Sequence, residues 1–288
     1  MRNTTLAPAG MALAAAALWG TTGTAQSLAP AQTSPYAVGA LRLAIASLFF
    51  AGFMAWRRIG AALPRHAWGG VALAGVCVAA YNLSFFAGVR ATGVALGTVV
   101  AIGSGPVWAG VLQWGIARQP PPAAWWLGTA LAVGGVALML PGSGDGARVD
   151  AAGLALCLVA GLSYAGYTLA SQRLVARMAP SVITLWSFAV AAMLALPAAA
   201  AAGGMPASPA GWWVVAYLGV FATGVAYLLF SHALRHLSAP TGVSLALGEP
   251  VAAFVLAIAV VGEQPQPLAF AGLALVLAGL VLVVLRGA

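Results

Sequence analysis

The chain contains very little charge. Its 288 residues include four acidic residues and twelve basic ones, and all the basic residues are arginine. Charged residues make up 6% and hydrophobic residues 62% of the chain, whereas a soluble globular domain is typically about 25% charged. Because so few charges cannot cover a water-exposed surface, the composition excludes a soluble domain and indicates a surface that faces lipid.

Cysteine and clustered charge are also scarce. Cys77 and Cys157 lie in apolar runs without a CxxC neighbour or a nearby histidine, so we expect small buried side chains rather than a disulfide or a metal site. The net charge of +8 is spread as single or paired arginines between apolar stretches. Nucleic-acid binding needs a clustered, solvated basic face. We therefore predict no metal, no cofactor and no nucleic-acid partner.

The motifs of membrane enzymes and ATP-driven pumps are missing as well. Neither HExxH nor a Walker A motif occurs. The residues 142–145 match the GxGD of intramembrane aspartyl proteases, but they fall in a polar loop. No predicted span contains the second aspartate that a two-carboxylate mechanism needs. Around Ser104, the spacing of a rhomboid-like serine–histidine pair is also missing. We predict that the protein is not an enzyme.

Long apolar stretches are what the sequence has in abundance. A helix that spans a bilayer needs about 20 apolar residues. Ten stretches fit, at 10–27, 35–56, 67–89, 93–116, 123–140, 151–171, 180–201, 211–232, 240–261 and 267–285. Arginine, proline and glycine punctuate the breaks between them. The first stretch also has features of a signal peptide that starts at Arg2, but we interpret it as a retained helix because it has a counterpart later in the chain.

The arginines indicate the orientation in the membrane. Loops on the cytoplasmic side carry an excess of basic residues. With a cytoplasmic N-terminus, that side receives Arg2, Arg57, Arg58, Arg65, Arg118, Arg173, Arg177, Arg235 and Arg286. The opposite side receives only Arg90 and Arg148. This asymmetry predicts an even number of spans, with both termini in the cytoplasm.

The chain repeats itself at an offset of about 145 residues. The matched pairs are Trp19 with Tyr164, Phe85 with Phe230, Arg90 with Arg235, Pro106 with Pro250, Gly128 with Gly272 and Gly135 with Gly279. Each half holds five predicted helices, and an odd number places the second half upside down relative to the first. The predicted fold is therefore an all-α membrane protein of ten transmembrane helices. It forms two inverted five-helix repeats, 1–145 and 146–288, in one integrated domain.

Inverted repeats have a mechanical consequence. Each half can adopt either of two packings, and exchanging them closes one entrance and opens the other. A substrate site then lies near the midplane, between the halves. This topology favours a transporter over a receptor or an anchor.

Several short motifs suggest a family. They are Leu18-Trp19-Gly20 and Arg42 in the first half, and Gly248-Glu249-Pro250, Gly262-Glu263, Gly272 and Gly279 in the second. With these motifs the chain resembles the drug/metabolite transporter superfamily, EamA type, and is most similar to exporters of aromatic and other amphipathic amino acids (the YddG type). The resemblance implies ten helices, the bacterial inner membrane and alternating access around a central cavity. Arg118-Gln119 departs from the Gly-Glu that the repeat often carries in the first half.

Polar and aromatic residues within spans are costly unless they face the interior. The candidate substrate cavity comprises Trp19 and Gln26 of helix 1, Tyr81, Asn82 and Phe85 of helix 3, Tyr164 and Tyr167 of helix 6, and Tyr227 and Phe230 of helix 8. Spacings of three and four place the aromatic pairs on one helical face. An aromatic wall with a few hydroxyl and amide groups suits an amphipathic ligand. The alternative is helix packing or an interfacial aromatic belt.

Five further residues are candidates for a gate or for coupling. Pro106 and Pro250 each remove a hydrogen bond inside a span, which is expected to free the carbonyls of the residues four positions earlier, Ile102 and Ala246. A kink for packing explains them equally well. Glu249 is the only acid well inside a predicted span. It either binds a proton or a substrate amine, or it accepts hydrogen bonds structurally.

Two basic side chains complete this set. Arg42 is expected in the outer third of helix 2, where structural pairing or snorkelling competes with binding a carboxylate. His232 is expected near the cytoplasmic end of helix 8, as an interfacial histidine with its hydrogen bonds satisfied rather than a proton relay.

Together these patterns predict an inner-membrane, multi-pass carrier. It would export small amphipathic metabolites, aromatic and other neutral amino acids among them, by alternating access. The alternatives are export of other metabolites or drugs, and a passive channel, although no ring of charge typical of channels is visible in the sequence. The expected partners are a small-molecule substrate and the lipid bilayer.

Overall fold

A computed structural model describes residues 3–27, 34–118, 120–139, 150–262 and 264–286. Helices joined by short turns and loops make up these residues, and no strand occurs among them. The side chain of Gln26 falls outside the description, as do Arg2, Gln119, Arg148, Glu263 and the GxGD motif at 142–145. The all-α class predicted from composition is therefore confirmed for the part of the chain that the structure describes.

The helices follow the predicted spans closely. They are α1 (Asn3–Ser27), α2 (Pro35–Trp56), α3 (Trp68–Thr92), α4 (Val94–Ala117), α5 (Ala123–Met139), α6 (Ala151–Val175), α7 (Pro180–Ala202), α8 (Pro209–Tyr217), α9 (Ala226–Ala233), α10 (Ala239–Leu245), α11 (Gly248–Leu256) and α12 (Pro267–Arg286). A 3₁₀ turn, Arg65–Ala67, precedes α3. Several starts carry the expected signals: proline at the first turn of α2 and α7, and Asp150 capping α6 through the amides of Ala152 and Gly153.

The second half departs from regular α-helix in two places. A π-helical segment, Leu218–Val225, joins α8 to α9, and another, Ala257–Val261, follows α11. The predicted ninth span is also broken, because α10 ends at Leu245 and α11 begins at Gly248. We expected two continuous spans here. π-Helical turns are rare and concentrate at functional sites.

Eight helical units are long and apolar enough to cross a membrane, among the described residues. They include Pro209–Ala233 and Ala239–Val261, each counted across its irregular segment. Helix α5 is apolar but shorter, and α1 is not among the eight. Large apolar side chains such as Trp213 and Leu48 are exposed on the outside of the bundle, where only lipid can cover them without penalty. The protein is thus a multi-pass membrane protein.

Helices α5 and α12 cross at two pairs of glycines. A Cβ on Gly135 would lie 2.5 Å from the carbonyl oxygen of Gly272, and one on Gly128 would lie 2.9 Å from that of Gly279. The reverse substitutions, at Gly272 and Gly279, would meet the same partner backbones. Only residues without a side chain allow so close a backbone approach, as at small-residue interfaces of membrane helices.

This crossing predicts a position-specific effect of alanine. Gly135→Ala should lower the melting temperature of the detergent-solubilised protein, because overpacking of this kind costs about 1–3 kcal/mol. Its neighbour Gly134 has open space around its Cβ position, so Gly134→Ala should be neutral or stabilising. Fluorescence-monitored thermal unfolding of both variants checks this. Equal melting temperatures would contradict the described crossing.

Candidate functional site

Aromatic side chains from α1, α3, α6 and α9 meet in the interior. The ring centroid of Trp19 lies 5.1 Å from that of Tyr227, 5.3 Å from Phe230 and 6.4 Å from Tyr164. These separations are typical of edge-to-face and tilted aromatic contacts. The centre of the bundle is therefore an aromatic cluster rather than an aliphatic core.

The cluster extends along α3 and α6. The ring of Tyr81 stacks on Phe85 at 5.7 Å and lies 5.9 Å from Tyr164. Tyr167 lies 5.7 Å from Tyr227. The structure thus brings seven of the candidate cavity residues into one connected aromatic cluster: Trp19, Tyr81, Phe85, Tyr164, Tyr167, Tyr227 and Phe230.

Local sequence explains why these rings face inward together. Tyr81 and Phe85 are four residues apart in α3, and Tyr227 and Phe230 are three apart in α9, so each pair shares one helical face. The position of Trp19 depends on the close packing of α1 and α11 at its neighbour, Gly20. A Cβ on Gly20 would lie 2.6 Å from both the Glu249 carbonyl oxygen and Ala252 Cβ, so α1 can approach α11 only with glycine here.

One aromatic member was missed from the sequence. Phe188 of α7 is fully buried, and its ring lies 4.8 Å from Tyr227 and 6.4 Å from Tyr167. Helix α7 carries no charge, but three small polar residues, Ser181, Thr184 and Ser187, are buried on its inner side. Thr184 lies four residues before Phe188, and this spacing was the available signal for an inward-facing ring.

Asn82 and the remaining polar candidates lie at the edge of the cluster. Asn82 is 3% exposed and packs against Gly39 of α2. His232 Nδ1 donates a hydrogen bond to the Leu228 carbonyl at 2.7 Å. This contact lies within its own helix.

Arg42 of α2 and Glu249 of α11 are the two charged candidates within the bundle. Both side chains are half-buried. Arg42 also lies where α2 packs against the π-helical segment, since a Cβ on Gly219 would lie 3.4 Å from the Arg42 carbonyl oxygen. The Nε atom of the Arg42 side chain is buried, so the guanidinium is shielded from the outside of the bundle.

The two prolines behave differently. Pro106 lies buried inside an otherwise continuous α4. Pro250 lies in the first turn of α11, a position that proline tolerates well. The expectation that Pro250 frees the Ala246 carbonyl is wrong, because the chain turns tightly there and the Glu249 amide donates to that oxygen at 2.9 Å. The break between α10 and α11 satisfies the backbone locally.

One end of the cluster is closed by α10. This helix packs against α4 and α6, and α9 also contacts α6. A Cβ on Gly105 of α4 would lie 3.5 Å from both Tyr164 Cδ1 and Val243 Cγ1. Towards the opposite end, no comparable packing of α1 against α3 or α4, or of α11 against α4, occurs among the described residues.

A surface cleft lies away from the cluster. Its volume is ≈ 460 Å³, and it is lined by Arg235 and by the turn at 175–179 between α6 and α7. The Arg235 guanidinium donates to the Met178 carbonyl at 3.2 Å beside this cleft.

The described residues form a lipid-facing helical bundle around buried aromatic and half-buried charged side chains, an arrangement that fits a membrane transporter. The sequence model of the EamA-like transporter family matches residues 7–140 and again residues 151–285. The chain belongs to the EamA-like transporter family. Membership of the wider drug/metabolite transporter superfamily, predicted from the short motifs, is confirmed with it.

Similar proteins are known from bacteria. The chain is 38% identical to the uncharacterized transporter YwfM of Bacillus subtilis, over 94% of this chain and 91% of that protein. It is 32% identical to the threonine/homoserine exporter RhtA of Escherichia coli, over 92% of this chain and 87% of RhtA. A solved crystal structure of a protein with 20% identity superposes with a TM-score of 0.83, covering 96% of this chain and 98% of the other, and shows the same fold.

Proposed function

We propose that the protein is an inner-membrane carrier that exports neutral amino acids, both aromatic and small, by alternating access around the aromatic cluster. The observation that carries this proposal is the meeting of Trp19, Tyr164, Tyr227 and Phe230, with tyrosine hydroxyls among the rings. Apolar walls with a few convergent polar groups suit a ligand that is itself amphipathic. Aromatic walls in particular suit aromatic side chains.

A relative of this chain supports a second group of substrates, small hydroxylated amino acids, within the class of neutral amino acids. RhtA is named as an exporter of threonine and homoserine, which are small and hydroxylated. In this chain the rings of the cluster contact one another, and a small side chain would need the least rearrangement of them. Threonine and homoserine therefore belong in any substrate panel beside phenylalanine, tyrosine and tryptophan.

The proposed architecture is ten spans in two inverted five-helix repeats, 1–145 and 146–288. The family model matches the chain twice, once in each half. The glycine contacts between α5 and α12 give independent support. An exchange of Gly128 with Gly272 and of Gly135 with Gly279 converts one contact into the other, as a two-fold axis in the membrane plane requires.

Loop contacts agree with the proposed orientation. The Ser34 amide donates to the Gly204 carbonyl at 2.8 Å, joining two segments placed outside the cell. Trp186 Nε1 donates to the Ala61 carbonyl at 2.9 Å, joining two segments placed in the cytoplasm. Ala207→Cys should react with a membrane-impermeant maleimide in intact cells, and Ala61→Cys only after permeabilisation. The reverse pattern would contradict cytoplasmic termini.

The asymmetric packing supports alternating access. In the proposed orientation, the seal made by α10 against α4 and α6 lies on the cytoplasmic side, and the looser end faces outward. Carriers of inverted-repeat design exchange such packings between their halves. We therefore interpret the structure as a state closed to the cytoplasm.

Efflux from cells tests the function. Cells that express the chain are fed dipeptides containing phenylalanine or threonine, which release the free amino acid inside. We expect expression to lower the internal pool and to raise the external concentration of at least one of the two. Cells expressing Trp19→Ala are the matched control. Equal pools with and without the protein, for every neutral amino acid tested, would contradict the proposal and favour other metabolites or drugs.

A further inference from the structure

Buried nitrogen donors without partners gather beside the aromatic cluster. Trp19 Nε1, Asn82 Nδ2 and Arg42 Nε are each buried and donate no hydrogen bond within the protein. The side chains of Trp19 and Asn82 are only 8% and 3% exposed. Buried polar groups are nearly always paired, because an unpaired donor costs free energy. Three such donors on three helices indicate a site for an acceptor supplied from outside the chain.

These donors face one region of the bundle. Asn82 packs against Gly39, which precedes Arg42 by about one turn of α2. Tyr81, the neighbour of Asn82, contacts Tyr164, and Tyr164 contacts Trp19. Trp19 contacts Tyr227 directly. The three groups are N–H donors that accept no hydrogen bond, and one of them belongs to a guanidinium. They therefore suit an acceptor that carries negative charge, such as a carboxylate.

Glu249 carries the opposite charge on the helix that packs against α1. It lies in the first turn of α11, and its backbone carbonyl faces Gly20, the neighbour of Trp19. Ala252, about one turn later in α11, lies against the same glycine, so this part of α11 packs beside Trp19. An ionised acid and an ionised base inside a membrane protein are costly unless each meets an opposite charge. A ligand that carries both charges would satisfy both side chains at once.

We propose that Arg42 and Glu249 bind the two ends of a zwitterion. Arg42, with Trp19 and Asn82, receives a carboxylate, and Glu249 receives an ammonium group. This inference rests on the proposed function and narrows its substrate class to amino acids with both charged groups free. Amines without a carboxylate, carboxylic acids without an amine, and sugars would be rejected at this site.

Ligand-induced thermal stabilisation of the purified protein tests the proposal without relying on transport. The probes are phenylalanine and threonine, their amides, which lack the carboxylate, and their N-acetyl forms, which lack the ammonium group. We expect stabilisation by the amino acids only. Arg42→Gln and Glu249→Gln should each weaken amino-acid binding by about tenfold or more, because each removes a charge-assisted hydrogen bond. Arg90→Gln, an exposed arginine at the end of α3, should change nothing.

The outcomes separate this proposal from the proposed function. Equal stabilisation by the amides or N-acetyl forms in the unaltered protein overturns zwitterion recognition, even where the variants fail to fold. No stabilisation by any amino acid, in protein that still exports them from cells, overturns this inference and leaves the export function standing. Selective binding of the intact amino acids without any efflux supports the inference and contradicts export. If the Arg42→Gln and Glu249→Gln variants have a lower melting temperature but still select the intact amino acids, the two residues have a purely structural role. That result also overturns the inference.

Discussion

Replacing Trp19 with alanine is expected to reduce amino-acid exchange at least tenfold, the largest effect of any single change in the aromatic cluster. Its ring contacts Tyr164, Tyr227 and Phe230, so the substitution opens a cavity where the rings of α1, α6 and α9 meet. Truncating a buried tryptophan costs about 3–5 kcal/mol, and the same contacts are the ones that would wall the substrate. Initial exchange rates in proteoliposomes measure the loss.

Two companion variants make this result interpretable. Trp19→Phe keeps a ring but removes the indole N–H, and we expect intermediate activity from it. Trp213→Ala removes a side chain that is 76% exposed towards lipid, and should leave exchange unchanged. A folded, monodisperse Trp19→Ala protein with normal rate and apparent affinity would show that the cluster is only packing.

A disulfide between α4 and α10 is expected to stop transport completely and reversibly. A Cβ on Gly105 would lie 3.5 Å from Val243 Cγ1, at the seal between the two helices. Cysteines at both positions therefore lie within reach of each other. The pair is introduced into a background with Cys77 and Cys157 replaced by alanine, since these are the two native thiols. Oxidation should abolish exchange because the seal can no longer open, and reduction should restore it.

The single variants Gly105→Cys and Val243→Cys serve as controls, and oxidant should not affect them. Full exchange by a protein whose cross-link is verified by mass spectrometry would contradict the gating role of this seal. A passive pore lined elsewhere would then be the better description.

Much of this fold was accessible from the sequence because lipid imposes simple rules. Spans must be about 20 apolar residues long and helical, and these two requirements located the helices to within a few residues. The inward aromatic faces were also accessible, since the three- and four-residue spacings at Tyr81 and Phe85, or Tyr227 and Phe230, fix them on one face. The family was predicted from short sequence motifs in both halves of the chain.

Other features depend on packing that a single sequence does not display. Phe188 lies in a charge-free helix whose buried side is marked only by the small polar residues Ser181, Thr184 and Ser187, a weak signal in an otherwise apolar segment. The π-helical segment Leu218–Val225 forms where Gly219 and Gly224 lie against side chains of α2. The π-helical hydrogen-bond pattern of this segment therefore depends on its tertiary contacts with α2. The role of Pro250 was misjudged for a similar reason, because a proline in a hydrophobic run signals either a kink or a new helix start, and here a new helix starts.

The central claim is that this chain is a carrier for neutral amino acids, and counterflow in proteoliposomes tests it most directly. Vesicles are loaded with one unlabelled amino acid, and labelled phenylalanine, tryptophan, tyrosine, methionine, threonine, homoserine or glutamate is supplied outside. We predict transient, saturable accumulation of one or more of the aromatic and neutral amino acids, and none of glutamate. Absence of counterflow for every amino acid, in protein shown to be folded, would contradict the claim, and equilibration without overshoot would indicate a channel.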